Sequence, residues 1–213
     1  MILPMDLVLP HLLLATAWIV WCTLHSLLIS VRWIGYMHRV LGARVAYYRL
    51  AYVVVSVLTL LPLLWYQWRI PTVTYWEWSW PWTILQWMGI LIAGGIFYLA
   101  ARQYNQLFFF GIQQVTDHLA ERTSEFSGFT RSGILDHVRH PYYSAGILFL
   151  LAWGDVTTAN LVLKMVGISY FIIGAVLEEH KLVREFGDAY RSYQQRVPMF
   201  VPRFHSSRKQ RPS

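Results

Sequence analysis

Five apolar runs, each bounded by polar or turn-forming residues, decide what this chain can fold into. They occupy roughly residues 7–30, 46–67, 82–101, 141–156 and 158–180. An α-helix rises ~1.5 Å per residue, so about 20 apolar residues cross the hydrocarbon core of a bilayer. In that medium every backbone N–H and C=O must be paired within the segment, which leaves the helix as the economical solution. The fourth run is the exception in length: about 16 residues, or about 24 Å of helix. It must sit beside a thinned or protein-lined region, or extend into the loop before it. Of the 213 residues, 56% are hydrophobic and 14% charged, too apolar for an ordinary soluble domain. The expected fold is all-α: a polytopic membrane bundle of about five transmembrane helices.

Basic residues gather in alternate connections. The first loop carries Arg32, Arg39 and Arg44, with Arg49 at its edge. The third carries Arg102, Arg122, Arg131 and Arg139, and the tail carries Lys181, Arg184, Arg191, Arg196, Arg203, Arg208, Lys209 and Arg211. By contrast, the second loop has Arg69 alone and the turn at Gly154-Asp155 has none. The positive-inside bias then puts the N-terminus outside and the C-terminus in the cytoplasm. The net charge of +7 is spread between apolar runs, with no basic face on a soluble module, which argues against a nucleic-acid partner and for membrane lipid. Cys22 is the single cysteine, so neither an intramolecular disulfide nor a cysteine-based metal cluster is expected, and no metal site is. The first run is long and has no basic n-region, so it is read as a span and not as a signal peptide.

One domain covers residues 1–205, with a three-helix part over 1–101 and a long loop, a helical hairpin and a C-terminal cap over 102–205. Residues 206–213 form a basic tail suited to anionic lipid. The second loop, from Trp65 to Trp82, is crowded with Trp and Tyr and reads as an interfacial aromatic belt. In the third loop, Leu107-Phe108-Phe109-Phe110 is apolar enough to lie in the interface. Gly94-Gly95 follows no strand, so it reads as a close helix contact and not as a phosphate-binding loop. Lys164 lies about 9 Å of helix from the outer end of its span and is expected to snorkel outward.

Two polar blocks flank the last pair of apolar runs. The first is Arg139-His140-Pro141-Tyr142-Tyr143, and the second begins at Glu178-Glu179 and continues through Phe186-Gly187, Tyr190, Tyr193 and Arg196-Val197-Pro198. A helical hairpin brings both to one membrane face, setting cations against carboxylates. Pro141 suits the first turn of a helix and pushes His140 into an extended conformation, so Arg139 and His140 stand at the positive end of a helix. Two adjacent carboxylates near lipid must face protein, water or a cation. Successive helix positions diverge by about 100°, so Glu178 and Glu179 point different ways, one to the site and one to a basic neighbour such as Lys181 or Arg184. Such a pairing of charges suits a zwitterionic ligand.

These blocks resemble the isoprenylcysteine carboxyl methyltransferase family of integral-membrane enzymes. The likeness covers about 65 residues: Arg139-His140-Pro141-x-Tyr143, the nearby Gly146, Glu178-Glu179-x-x-Leu182, Phe186-Gly187-x-x-Tyr190-x-x-Tyr193 and Arg196-Val197-Pro198 follow in the family's order. The positive-inside bias turns the site to the cytoplasm, Tyr142 and Tyr143 offer ring faces to a sulfonium, and the resemblance implies S-adenosylmethionine as cofactor, held by Arg139, His140, Glu178 and Glu179 with Gly146 beside them. It implies catalytic roles for Arg139 and Arg196, the latter beside the acceptor with Tyr190 and Tyr193 on one helical face. Acceptors in view are a prenylcysteine carboxylate, a thiol or a lipid amine. The segment before the motif departs from the family, reading Gly133-Ile134-Leu135-Asp136-His137, so Asp136 and His137 are expected to retune substrate choice or pair with Arg139. Trp21-Cys22-Thr23-Leu24-His25-Ser26 resembles a nurim-like and methanethiol S-methyltransferase-like branch, which makes His25 a candidate at the substrate. Two other classes stay open at this point. One is a non-catalytic membrane scaffold of the same fold. The other is a haem-binding redox protein using His11 and His25, fourteen residues apart on one helix face.

Overall fold

The computed structural model describes residues 5–122 and 133–203. Arg131, Arg208, Lys209, Arg211 and the basic tail lie outside the described residues. The chain is a bundle of helices α1 (Met5–Leu28), α2 (Val31–Leu41), α3 (Tyr48–Arg69), α4 (Trp82–Ala101), α5 (Gln106–Phe109), α6 (Ile112–Leu119), α7 (Pro141–Ala152), α8 (Thr158–Phe186) and α9 (Asp188–Arg196). Short strands β1 (Thr74–Trp76) and β2 (Val156–Thr157) pair antiparallel, with Thr74 opposite Thr157. This pairing ties the α3–α4 connection to the α7–α8 turn at one end of the bundle.

Among the described residues, four stretches are long and apolar enough to cross a membrane: Leu7–Leu28, Val31–Arg69, Trp82–Ala101 and Thr158–Phe186. The architecture is that of a helical membrane bundle. The outer faces of α1, α3 and α4 display large apolar side chains such as Leu9, Leu61 and Leu91, the pattern of a lipid-facing surface. The fourth expected run forms a helix shorter than its apolar sequence. Helix α7 has 12 residues, about 18 Å, because Trp153 leaves the helical conformation and Gly154, at φ 63°, turns the chain into β2. Helix α8 has 29 residues, about 43 Å. That length exceeds a hydrocarbon core of about 30 Å and carries its last turns beyond it.

Local chemistry sets the boundaries. Thr157 caps α8 by accepting from the Asn160 N–H at 3.1 Å, and Ser30 caps α2 by accepting from Trp33 N–H at 3.3 Å. Gly187, at φ 56°, ends α8 and lets α9 start in a new direction. Leu14, Trp18, Leu63, Ile70 and Ala159 form the core where α1, α3 and α8 meet. A polar chain runs beside it: Trp18 Nε1 donates to Gln67 Oε1 at 2.9 Å and Gln67 Nε2 to Asn160 Oδ1 at 3.2 Å. Helices α4 and α7 approach closely at Gly89, where a Cβ would stand 2.9 Å from that of Ala152. A Cβ at Gly94 or Gly95 would meet nothing within 4 Å, so the close contact falls one and a half turns earlier than expected. Lys164 does not snorkel: it is buried at 8% exposure and donates to the Leu151 carbonyl at 3.3 Å. A cation at the C-terminal end of α7 satisfies a carbonyl that the helix leaves open.

Candidate active site

Both polar blocks meet at the end of the α7–α8 hairpin. Arg139 Nε donates to Glu179 Oε1 at 2.5 Å, and Arg139 Nη1 donates to the carbonyls of Gln194 at 2.8 Å and Val197 at 2.5 Å. Glu179 also stands 3.2 Å from His140 Nε2, while its Oε2 accepts from Gln194 Nε2 at 2.8 Å. The Glu178 carboxylate lies 3.7 Å from His140 Nδ1, bonds to the Tyr143 hydroxyl and faces Tyr104. Exposure separates the two acids: the side chain of Glu179 is 13% exposed and that of Glu178 46%. Glu179 is therefore the internal counter-charge and Glu178 the carboxylate turned to the surroundings. The cation opposite Glu179 is Arg139, and among the described residues neither glutamate makes the expected ion pair with Lys181 or Arg184.

His140 takes the extended conformation expected before a proline, at φ −122°, ψ 66°, and Pro141 opens α7. The segment after α9 then locks this turn in place. Arg139 N–H donates to Pro198 O at 2.9 Å, His140 N–H to Met199 O at 3.2 Å and Arg203 N–H to His137 O at 3.0 Å. His137 turns its ring to the Arg203 carbonyl at 3.2 Å instead of pairing with Arg139.

Aromatic rings surround the pair. Tyr143 stacks on His140 with centroids 5.5 Å apart, and Tyr142 lies against Tyr104 at 5.4 Å and Phe109 at 6.2 Å. Gly146 is a packing residue: a Cβ there would stand 2.6 Å from the Phe171 ring, so its absence lets α8 close on α7. The shared face expected for Tyr190, Tyr193 and Arg196 does not form. Tyr190 and Tyr193 are each 4% exposed, packed against Leu182 and Val183, and the Tyr193 hydroxyl donates to Leu135 O at 2.6 Å. Burial, with Glu179 nearby, pushes the Tyr190 phenol well above the ordinary tyrosine range. Arg196 is exposed on the other side of α9, its Nε on the Ser192 carbonyl at 3.0 Å. Three residues per step is 300° of helix, so the drift over two steps is enough to part the arginine from its tyrosines.

His25 belongs to a neighbouring chamber of about 240 Å³, lined by Trp21, Tyr52, Ser56, Phe109 and Phe110 among others. Its ring stacks on Trp21 with centroids 4.9 Å apart, its Nδ1 lies 3.2 Å from Ser56 Oγ and its Nε2 2.8 Å from the Tyr52 hydroxyl. Both ring nitrogens are engaged, which does not suit the His11 and His25 pairing on haem iron. Phe109 forms a wall of this chamber and packs on Tyr142, so the chamber adjoins the polar site. Among the described residues no group of three His, Cys, Asp or Glu is placed to hold a metal.

Sequence reasoning missed Gln194, Tyr104 and the partners of His25. Tyr52 and Ser56 were readable in principle, four residues apart on one face of an apolar helix. Gln194 carries no such signal, because its role depends on where α9 docks.

Fold and site define a class: a helical membrane bundle whose last hairpin holds an Arg–His–carboxylate cluster at one end, roofed by a short helix. In sequence the chain is related to the methanethiol S-methyltransferases, and this bears out the methyltransferase resemblance of its motifs. It is 35% identical over 160 residues to a methanethiol S-methyltransferase of a Pseudomonas species, covering 73% of this chain and 60% of that protein. It is 35% identical over 156 residues to methanethiol S-methyltransferase 1 of Bradyrhizobium diazoefficiens, covering 72% and 54%. The Mycobacterium tuberculosis methanethiol S-methyltransferase is 27% identical over 157 residues, covering 72% and 63%. The chain thus spans little more than half the length of the curated relatives it matches. No family model matches the chain, and no solved structure does.

Proposed function

We propose that the protein is a membrane methyltransferase that transfers a methyl group from S-adenosylmethionine to a small thiol at the cytoplasmic face. One observation carries this reading: the Arg139, His140, Glu178 and Glu179 cluster closes the last hairpin of a chain that is 35% identical over 160 residues to a methanethiol S-methyltransferase. The residues fit a zwitterionic sulfonium. Arg139 spends its Nε and Nη1 donors on Glu179 and two carbonyls, which leaves Nη2 to bind a ligand carboxylate. The exposed Glu178 carboxylate binds the ammonium, and the faces of Tyr104, Tyr142 and Tyr143 stabilise the sulfonium by cation–π attraction. When bound, S-adenosylmethionine supplies an electrophilic methyl carbon.

The protein's own work is positioning and proton handling. In-line displacement needs the acceptor sulfur behind the methyl group, and the chamber beside Tyr142 is apolar enough to admit a small thiol. The sulfur–carbon bond to the acceptor forms as the sulfonium–carbon bond breaks, and the thiol proton must leave first. His25, the imidazole lining that chamber, receives it through Tyr52, while Ser56 holds the other ring nitrogen. Arg196 acts at the acceptor's entrance from the exposed side of α9. The excess of Arg and Lys in loops one and three and in the tail supports a cytoplasmic C-terminus, an outside N-terminus and a site open to the cytoplasm.

A titration of the purified protein with S-adenosylmethionine, followed by a methyl-transfer screen over thiol, carboxylate and amine acceptors, tests this. Saturable binding with thiol turnover is the expected result. Binding with turnover of another acceptor would replace the substrate, and absence of binding would return the chain to a scaffold role.

A further inference from the structure

A second cavity, of about 420 Å³, lies between the end of α1, helix α2, the start of α3 and helix α6. It shares Ile29, Arg49 and Tyr52 with the His25 chamber but is lined differently. Arg49, Arg122, His38 and His118 stand in its wall, and no described aspartate or glutamate does. Arg49 is held in place by its Nε on the Phe109 carbonyl at 2.7 Å and by the ring faces of Phe108 and Phe109. The wall therefore favours an anion, since a positive lining without a counter-charge gains most from one.

Gln114 also lines the cavity. Its Nε2 donates to the Phe108 carbonyl at 3.0 Å, which fixes the orientation of the amide. Its Oε1 is buried without a hydrogen-bond partner.

A second requirement comes from α2. It buries none of its residues: Ile34, Met37 and Leu41 turn half-buried toward the protein, while Val31 and Val40, on opposite sides of the helix, are 66% and 58% exposed. An amphipathic helix joining two apolar spans lies at the bilayer surface. The cavity beneath it thus sits at headgroup height, where an anion arrives attached to acyl chains.

We propose that this cavity binds the headgroup of an anionic phospholipid, its phosphate between Arg49 and Arg122. The site is independent of the methyl-transfer reading, and its test needs no turnover. Purified protein in neutral detergent is unfolded thermally with added phosphatidylglycerol, phosphatidylcholine or soluble glycerol phosphate. Phosphatidylglycerol is expected to raise the midpoint by about 3 °C, and the other two are not. The double variant Arg122→Gln, His118→Gln should weaken the apparent affinity for phosphatidylglycerol at least about fivefold. Arg32→Gln, on α2 but outside the cavity, should not change it. Equal shifts with phosphatidylcholine would overturn the headgroup assignment, and an equal shift with glycerol phosphate would overturn the lipid one. A loss in Arg32→Gln as large as in the double variant would reduce the effect to diffuse attraction and sink the site. All these variants lie on half-buried or exposed side chains, and the midpoint without lipid reports directly whether each is folded.

Discussion

Replacing each of the two adjacent glutamates by glutamine separates structure from ligand binding, because the two carboxylates have different surroundings. Glu179 receives Arg139 at 2.5 Å, His140 at 3.2 Å and Gln194 at 2.8 Å, with both side chains of the ion pair 13% exposed or less. Glu179→Gln removes the counter-charge of a nearly buried guanidinium and sets an amide N–H against one of its former donors. Breaking such a pair from one side costs about 3–5 kcal/mol. Arg139 keeps its bonds to the Gln194 and Val197 carbonyls, so the lower end, about 3 kcal/mol, is expected here. For a chain of this size each kcal/mol moves the midpoint by about 2–4 °C, giving a fall of about 6–12 °C. Glu178 is 46% exposed, so Glu178→Gln should cost less than about 1 kcal/mol in stability. In the proposed role it should lower affinity for S-adenosylmethionine more than about tenfold, as loss of a charge-assisted bond does. Thermal unfolding in detergent and calorimetric cofactor titration read the two effects. A Glu179→Gln protein melting within about 2 °C of wild type, or a Glu178→Gln protein with unchanged cofactor affinity, would refute the assignment.

Other outcomes follow from single contacts. Arg196→Ala should lower turnover while leaving S-adenosylmethionine affinity within about threefold, under ~0.7 kcal/mol; wild-type turnover would return Arg196 to the membrane anchors. Gly146→Ala drives a methyl group into the Phe171 ring, 2.6 Å away, and should cost about 1–3 kcal/mol in unfolding free energy. The folded pKa of Tyr190 lies above its unfolded value of about 10, so its stabilising contribution is present below that pH and fades as pH rises through the folded value. Tyr190→Phe should flatten that alkaline loss in a series of unfolding midpoints, and an unchanged profile would show that the phenol does not cause it. Reporter fusions should put the Gly154 turn and the C-terminus on opposite sides of the membrane; finding both on one side would overturn the proposed orientation.

The membrane class, the helical runs around α1, α3, α4 and α8 and the meeting of the two polar blocks were all set by local sequence. Each follows from information carried within a short stretch: apolar length against bilayer thickness, a proline that forces His140 to be extended, a hairpin that returns Glu178 and Glu179 to Arg139. What the sequence left open depends on rotation and docking between segments far apart in the chain. The tertiary structure decided that Glu179 takes Arg139, because α9 docks so that Gln194 and Val197 complete the arginine's bonds. It also decided that Tyr190 and Tyr193 face inward while Arg196 faces out. Lys164 turned to the end of α7 for the same kind of reason: Gly154 stopped that helix early and left the Leu151 carbonyl within its reach. The cavity with Gln114 in its wall exists only because α2, α3 and α6 converge there. A helix's period fixes which residues share a face, but only packing against a partner fixes where that face points.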